Sequence, residues 1–185
     1  MKLKFVSIPV KFDNNYYIFN KTFGFLYSIK EQQNIKPPLS LKAEIYKNKL
    51  DNPFLFRSQI EKAKHVNVHF IYKIYGYLLT KITFLFFFGG LVFSKLAKRK
   101  FTNASDALAY FRENIQPSKQ DGLCLSRSLF AAATSKKFKN NGALIIGVFL
   151  PSNSLHAWII ENDQIADDLD DIWINYQPVA MIYYE

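Results

Sequence analysis

The chain has 185 residues and a formal net charge of +9, and 49% of its residues are hydrophobic. This composition excludes an intrinsically disordered protein. The length is sufficient for one good hydrophobic core or two small ones. The single cysteine, Cys124, excludes an intramolecular disulfide and fits the reducing cytoplasm, where we expect the protein to act. No Cys/His group has the spacing of a structural zinc site, so we expect neither a metal nor a cofactor.

The most apolar stretch, residues 82–93 (ITFLFFFGGLVF), has 12 residues and is flanked by Lys81 and Lys95. Because a membrane-spanning helix needs about 20 apolar residues, we expect no stable membrane insertion. A buried helix is the favoured interpretation, and contact with a membrane surface is the alternative. The N-terminal segment MKLKFVSIPVKFDNN lacks the apolar region and the cleavage site of a signal peptide.

The charge is divided unevenly along the chain. Residues 1–100 contain 18 Lys/Arg and 5 Asp/Glu, whereas residues 101–185 contain 6 and 10. This asymmetry suggests two modules with different roles. The basic half suits nucleic acid, a membrane surface or an acidic peptide, and the alternative is an ordinary solvated lysine-rich surface. Since no recognition helix rich in Arg and Asn is present, we do not expect a nucleic-acid partner.

In chain order, the first predicted elements are strands. Residues 2–29 alternate between apolar and polar side chains, with a turn at Asp13-Asn14-Asn15, which is typical of a small antiparallel sheet. Pro37-Pro38 interrupts the chain, and residues 39–50 fit a short helix. Strands followed by short helices predict a winged-helix-like domain over residues 1–60.

Helices dominate the middle of the sequence. Residues 69–100 have an apolar, helical pattern, and a second helix through ALAYFRENI can be capped by Asn103 or Ser105. A third helix is predicted from Cys124 to Phe138. We expect it to end at Asn140-Asn141-Gly142, because these residues tolerate the left-handed backbone conformation.

The remaining elements are predicted strands. ALIIGVFL and HAWIIEN read as two strands, Asn162-Asp163 turns the chain into QIAD, and VAMIYY forms the last strand. Residues 67–185 are therefore expected to pack a helix on an antiparallel sheet. With the winged-helix-like domain, the expected fold class is α+β.

This order of elements places three chemically useful side chains in suitable positions. Cys124 stands at a helix start, where unpaired N–H groups and the helix dipole favour the thiolate, the nucleophilic form. His156 starts a strand and can act as the base, and Asp168, across the next turn, can orient the imidazole. The pattern predicts nucleophilic catalysis by a Cys-His-Asp triad.

Each of these residues also has a structural interpretation. A lone buried cysteine is usually a core residue, a histidine beside Trp158 is often structural, and ADDLDD (166–171) fits a solvated acidic loop. His65 and His69 share the spacing of one helix face, but no third ligand is evident, so we expect no metal there.

The amino-acid sequence of the second half resembles one known family. CLSRSLFAAA, GALIIGVFL and HAWIIENDQIADD are together similar to the lasso-peptide B proteins. These are cysteine peptidases of the transglutaminase-like, papain-like superfamily, and they remove the leader from a lasso-peptide precursor. The resemblance covers residues 105–180 and includes the Cys-Leu-x-Arg-Ser-Leu helix and the His-Ala-Trp strand.

The resemblance implies roles for individual residues. It makes Cys124 the nucleophile, His156 the base and Asp168 the orienting carboxylate. Asp167 stands where the family often has Asn, so the choice between Asp167 and Asp168 stays open. Glu161 lies one position after the glutamate that commonly follows the His-Ala-Trp strand, and we expect no chemical role for it.

The resemblance also implies partners. Residues 1–60 are similar to the leader-recognition element fused to some family members, which binds the leader peptide as an added strand. The partners would be the precursor peptide and an asparagine-synthetase-like cyclase that closes the freed core into a macrolactam. The candidate groove residues are Tyr16, Tyr17, Phe23, Phe25 and Tyr27.

Two other functions fit the same residues. The triad can transfer an acyl group to an amine instead of to water, which would make the protein an acyltransferase. The chain can also be a non-catalytic module that binds and delivers a precursor, in which case Cys124 would be an inert, buried thiol.

Overall fold

The computed structural model describes residues 3–20, 26–30, 57–58, 70–81, 100–116, 123–150, 152–166 and 175–185. These residues form a mixture of helices and mainly antiparallel sheets, in agreement with the general α+β prediction. The predicted helix at 39–50, the apolar segment 82–93 and both residues of the His65/His69 pair lie outside the described residues.

Nine strands are seen in the described part of the chain. They are β1 Leu3–Ser7, β2 Val10–Phe12, β3 Asn15–Phe19, β4 Leu26–Lys30, β5 Arg57–Ser58, β6 Gly142–Phe149, β7 Ser154–Glu161, β8 Gln164–Ala166 and β9 Gln177–Tyr184. A six-stranded sheet has the order β1-β9-β6-β7-β8-β5, and a three-stranded sheet has the order β2-β3-β4. The pairing of β5 with β8 is parallel, and the other pairings are antiparallel.

Four helices lie within the described ranges of the chain. They are α1 Phe70–Lys81, α2 Ala104–Asn114, α3 Cys124–Thr134 and the short α4 Phe138–Asn141. Of the two predicted caps for α2, Asn103 is the one used: its side chain accepts a hydrogen bond from the backbone N–H of Asp106 at 2.8 Å. This cap and the start of α3 at Cys124 agree with the sequence prediction.

The hairpin turns are where the sequence predicts them. Asp13 has a φ of 54° between β2 and β3, and Asn162 and Asp163 have φ angles of 51° and 61° between β7 and β8. Asn and Asp tolerate the left-handed region better than other residues with a side chain. Two consecutive left-handed residues make the type I′ turn that suits the twist of a two-residue hairpin.

The predicted end of the third helix is wrong. The helix ends at Thr134 because Ser135 is extended and forms a bridge with Phe101, whose backbone oxygen accepts from the N–H of Lys136 at 2.9 Å. Gly142 has a φ of −118° and starts β6, so it is not a left-handed cap. A contact distant in sequence, and not a local glycine signal, terminates α3.

The central strands are buried on both faces, which explains their continuous apolar runs. Leu144 and Ile146 of β6 pack into the larger core cluster with α1, α2 and α3, whereas Ala143 and Ile145 belong to a second cluster with Trp158. Alternate residues of a strand point to opposite faces, so the two clusters lie on the two sides of the sheet. Helix α3 packs directly on β6 and β7, which brings its first residue to the sheet.

The first described strand belongs to the same sheet as the second half of the chain. β1 pairs with β9 in the register Leu3–Tyr184 to Ser7–Ala180, while β2, β3 and β4 form their own sheet within the first 60 residues. The division into a winged-helix-like domain at 1–60 and a peptidase domain at 67–185 stays a prediction. Among the helices of the described residues, none is long and apolar enough to cross a membrane.

Candidate active site

Cys124 is the first residue of α3 and is half-buried. The preceding residue, Leu123, occupies the N-cap position and has no side-chain hydrogen bond to the helix. A leucine cannot accept a hydrogen bond, so the first turn of α3 has no cap side chain of the kind that Asn103 supplies to α2. A helix start carries a partial positive charge, which favours a negative group close to it.

His156 lies on β7, opposite Gly147 of β6, and its side chain is 4% exposed. The imidazole contacts two aromatic rings. The ring of Trp158 is stacked at 5.9 Å between centroids, and that of Tyr176 is tilted at 5.2 Å. Gly147 leaves room for this arrangement, because a Cβ there would lie 2.7 Å from Trp158 and 2.9 Å from Tyr176. The two rings restrict the orientation of the imidazole.

The structure places the side chain of Cys124 within reach of the imidazole of His156. Burial of the thiol raises its pKa, whereas the hydrogen bond with the His156 side chain and the charge of that imidazole lower it. The backbone of Ala157 and the charge of Arg127 lower it further, so the pKa of the Cys124 thiol is below its ordinary value. A thiol in this environment is more ionised at neutral pH than a free cysteine, and the thiolate is the nucleophile.

The backbone of β7 also contacts the sulfur. The thiol donates to the carbonyl oxygen of Leu155 at 4.0 Å, and the backbone of Ala157 hydrogen-bonds the sulfur. One helical turn after Cys124, the hydroxyl of Ser128 donates to the carbonyl oxygen of Ala157 at 3.0 Å. The start of α3 is therefore attached to β7 at the residues that flank the histidine.

Arg127 faces the end of α2. Its Nη1 donates to the side-chain oxygen of Gln116 at 3.3 Å, and its charge has a small lowering effect on the pKa of Cys124. The sequence leaves open whether this arginine is structural or binds a carboxylate on a partner. The contact with the buried Gln116 gives it a structural role in joining α3 to α2.

The predicted acid of the triad is outside the described residues. The described part of β8 ends at Ala166, opposite Ile159 of β7, and Asp167 and Asp168 follow. Both the assignment of Asp168 as the orienting carboxylate and the choice between it and Asp167 stay predictions.

Sequence reasoning missed two residues of the site, Ser128 and Tyr176. The signal for Ser128 is its position four residues after Cys124, on the same helix face. The signal for Tyr176 is indirect: a glycine within the apolar run ALIIGVFL indicates close approach of bulky groups at Gly147. Neither signal identifies its partner without the register between α3, β6 and β7.

A second buried polar cluster lies at the other end of β7, around Glu161. One carboxylate oxygen of Glu161 accepts from the backbone N–H of Ala104 at 2.9 Å, and the other accepts from the hydroxyl of Ser135 at 2.5 Å. Burial raises the pKa of Glu161 despite these two hydrogen bonds. This residue ties the start of α2 and the end of α3 to the sheet.

Within the part of the chain that the structure describes, no group of three His, Cys, Asp or Glu side chains is arranged to hold a metal ion. The side chains at the site are instead suited to covalent catalysis by sulfur with an adjacent imidazole.

Comparisons of the chain with protein-family models, with curated proteins and with solved structures found no match. The function is therefore argued from the motifs and from the geometry of Cys124 and His156.

Proposed function

We propose that this protein is a cysteine peptidase that removes the leader from a ribosomally made lasso-peptide precursor. The observation that carries the proposal is the pairing of Cys124 with His156, whose hydrogen bond and charge lower the pKa of the thiol although burial acts to raise it. A core cysteine without a partner would have a raised pKa instead. The substrate class, a lasso-peptide precursor, is proposed from the resemblance of the motifs around both residues to the lasso-peptide B proteins.

The reaction would proceed through an acyl-enzyme. The Cys124 thiolate attacks the carbonyl carbon at the junction of leader and core, and a C–S bond forms as the C–N bond breaks. His156 holds the proton of the thiol and gives it to the leaving amine of the core peptide. Water, deprotonated by His156, then breaks the C–S bond and releases the leader as a free acid.

The start of α3 would stabilise the oxyanion of the tetrahedral intermediate. Leu123 offers no side-chain acceptor to the first-turn N–H groups of α3, the helix that begins at Cys124. Donors fixed in this way stabilise the charge that develops on the carbonyl oxygen in the transition state. Asp168 would orient the imidazole of His156, as the family resemblance implies.

The three-stranded sheet would bind the leader. In the order β2-β3-β4, both β2 and β4 have an outer edge without a strand partner among the described residues, and a peptide can add to such an edge. Of the candidate groove residues, Tyr27 on β4 is 38% exposed and Tyr16 and Tyr17 are half-buried, whereas Phe23 and Phe25 lie outside the described residues. The basic charge of residues 1–100 suits an acidic leader, and binding that weakens as salt rises would support this.

The experiment that tests the proposal is the intact mass of a precursor peptide after incubation with the protein. Candidate precursors are short open reading frames beside the gene. We expect one cut by the wild type and none by Cys124→Ala. Ser126→Ala is the control, because it changes a buried hydroxyl two residues away and leaves both Cys124 and His156 in place. The freed core is the substrate expected by an asparagine-synthetase-like cyclase, which is added in a parallel reaction.

The product masses distinguish the alternatives. Hydrolysis gives the leader as a free acid, whereas acyl transfer gives an amide with the added amine. Uncut peptide with the wild type, both alone and with the cyclase, together with tight binding of the leader, would favour the delivery module and contradict the peptidase.

A further inference from the structure

Helix α3 contacts β7 through polar side chains as well as apolar ones. Ser128 is 2% exposed, and its hydroxyl donates to the carbonyl oxygen of Ala157 at 3.0 Å. Cys124, one turn earlier, hydrogen-bonds the backbone of the same Ala157 through its sulfur. Both backbone groups of Ala157 are therefore engaged by one helix, within one residue of His156.

This contact is made at the edge of β7 that faces β8. Backbone groups of alternate residues in a strand point to the same side. Leu155 and Ala157 share that side with Glu161, which faces Gln164 of β8 across the two-residue turn. Among the described residues, β8 extends to Ala166, opposite Ile159. Further along the same edge of β7, the carbonyl oxygens of Leu155 and Ala157 accept from the thiol and the hydroxyl of α3.

We propose that Ser128 is a positioning residue of the active site, whose hydroxyl fixes α3 against β7 and so holds Cys124 within hydrogen-bonding reach of His156. This inference rests on the proposed function, because it assigns Ser128 to the same catalytic pair.

The reason lies in the geometry of the sulfur. The hydrogen bond between the Cys124 thiol and the His156 imidazole depends steeply on distance and angle. Because Cys124 belongs to the first turn of α3, the position of this helix sets the position of the thiol. Without the hydroxyl, the carbonyl of Ala157 is a buried acceptor that has lost its helix partner, and the helix can move away from the strand. The thiol then keeps its burial and loses the interaction that lowers its pKa.

The test is the rate of Cys124 alkylation by iodoacetamide as a function of pH, with Ser128→Ala and Ser126→Ala compared. Ser126 is a matched control: it is 1% exposed, belongs to the same helix and donates at 3.0 Å, but to Leu79 of α1. The charged groups that face Cys124, namely His156 and Arg127, are unchanged in both variants. We expect Ser128→Ala to shift the midpoint of the alkylation rate against pH upward and to slow alkylation at pH 7 about three- to tenfold. Ser126→Ala should keep the wild-type midpoint.

Three other outcomes would overturn the inference. If wild type and Ser128→Ala have equal midpoints, both below the ordinary pKa of a thiol, Ser128 has no positioning role and the proposed function is unaffected. An equal shift in Ser126→Ala shows a general effect of loosening the helix. A wild-type thiol that titrates at the ordinary value removes the support for the proposed function itself and, with it, for this inference.

If Ser128→Ala does not fold, Ser128→Thr and Ser128→Val replace it. These two side chains have nearly the same shape and differ in the hydroxyl. A lower midpoint for Thr than for Val supports the positioning role, and equal midpoints refute it.

Discussion

The reactivity of Cys124 is decided by the competition between its burial and its neighbours. Burial acts against the charged thiolate, and the hydrogen bond and charge of His156 act for it. Because the contribution of His156 exceeds those of Ala157 and Arg127, the histidine is the residue whose loss should change the sulfur most. The thiol's pKa depends on single side chains and can be measured without knowing the substrate.

We predict that His156→Gln raises the pKa of Cys124 and slows its alkylation at pH 7 by about tenfold or more, since one pKa unit corresponds to tenfold in the thiolate fraction. With the imidazole removed, burial is no longer outweighed, and the midpoint of the rate against pH moves upward. Iodoacetamide alkylation followed by intact mass measures the midpoint.

Tyr176→Phe is the matched control for this variant. It keeps the ring against His156 and removes only the hydroxyl, which lies 3.3 Å from that of Ser154. The control should retain the wild-type midpoint. If His156→Gln also retains it, the hydrogen bond between Cys124 and His156 is not what activates the thiol.

At the other end of β7, Glu161 makes stability depend on pH. Its pKa is raised by burial, so between the ordinary and the raised value the folded protein holds a proton that the unfolded chain has released. The free energy of unfolding therefore falls as the pH rises through this window. We predict that Glu161→Gln removes this part of the pH dependence, as measured by urea unfolding between about pH 4 and pH 7.

The control for Glu161 is Glu113→Gln, which removes the same charge from the exposed side of α2. Lys137 and Asp106 also act on Glu161 and are unchanged in both variants. A slope that persists in Glu161→Gln would assign the pH dependence to other groups.

At the scale of residues, the sequence points to Cys124 and His156, the candidate nucleophile and base, but not to the residues that hold them in place. Cys124 and His156 can be found because a helix start and a strand start have local signals. Ser128 and Tyr176 cannot be assigned in this way, because their partners depend on how α3 and the residue before β9 are placed against β7. Such an alignment is set by packing of the whole sheet and leaves no local pattern.

At the scale of elements, β6 makes room for the site at Gly147, which has no side chain. A Cβ at Gly147 would lie 2.7 Å from the ring of Trp158, which stacks on His156. We predict that Gly147→Ala lowers the free energy of unfolding by about 1–3 kcal/mol and also raises the midpoint of Cys124 alkylation, because the rings must shift. Urea unfolding and the alkylation profile measure the two effects.

Ile146→Val, on the opposite face of β6, separates these effects. It should cost about 0.5–1.5 kcal/mol and leave the alkylation midpoint unchanged. A loss of stability in Gly147→Ala with an unchanged midpoint would show that the aromatic rings do not determine the position of the imidazole.

The elements also show where local signals fail. The cap Asn103 and the turn Asn162-Asp163 are read correctly because each satisfies its own backbone requirement within a few residues. The end of α3 is missed because Ser135 is held by Phe101 and by Glu161, both distant in sequence. Helix-forming residues after Thr134 are outweighed by these tertiary contacts.

At the scale of the whole molecule, the pairing of β1 with β9 links the two predicted domains. We predict that a fragment of residues 67–185 unfolds at a lower temperature than the full chain and self-associates, because the outer edge of β9 loses its partner. Thermal unfolding and size-exclusion chromatography measure this. A monomeric fragment with the melting temperature of the full chain would show that the second half folds without β1.

The same pairing has a consequence for the order of events in folding. Leu3 and Tyr184 are neighbours in space although nearly the whole sequence separates them. A contact of such high sequence separation closes late, since the entropy of the intervening chain must be lost first. During synthesis, β1 leaves the ribosome long before β9 has been made. The outer edge of the six-stranded sheet can therefore be completed only after β9 has been synthesised.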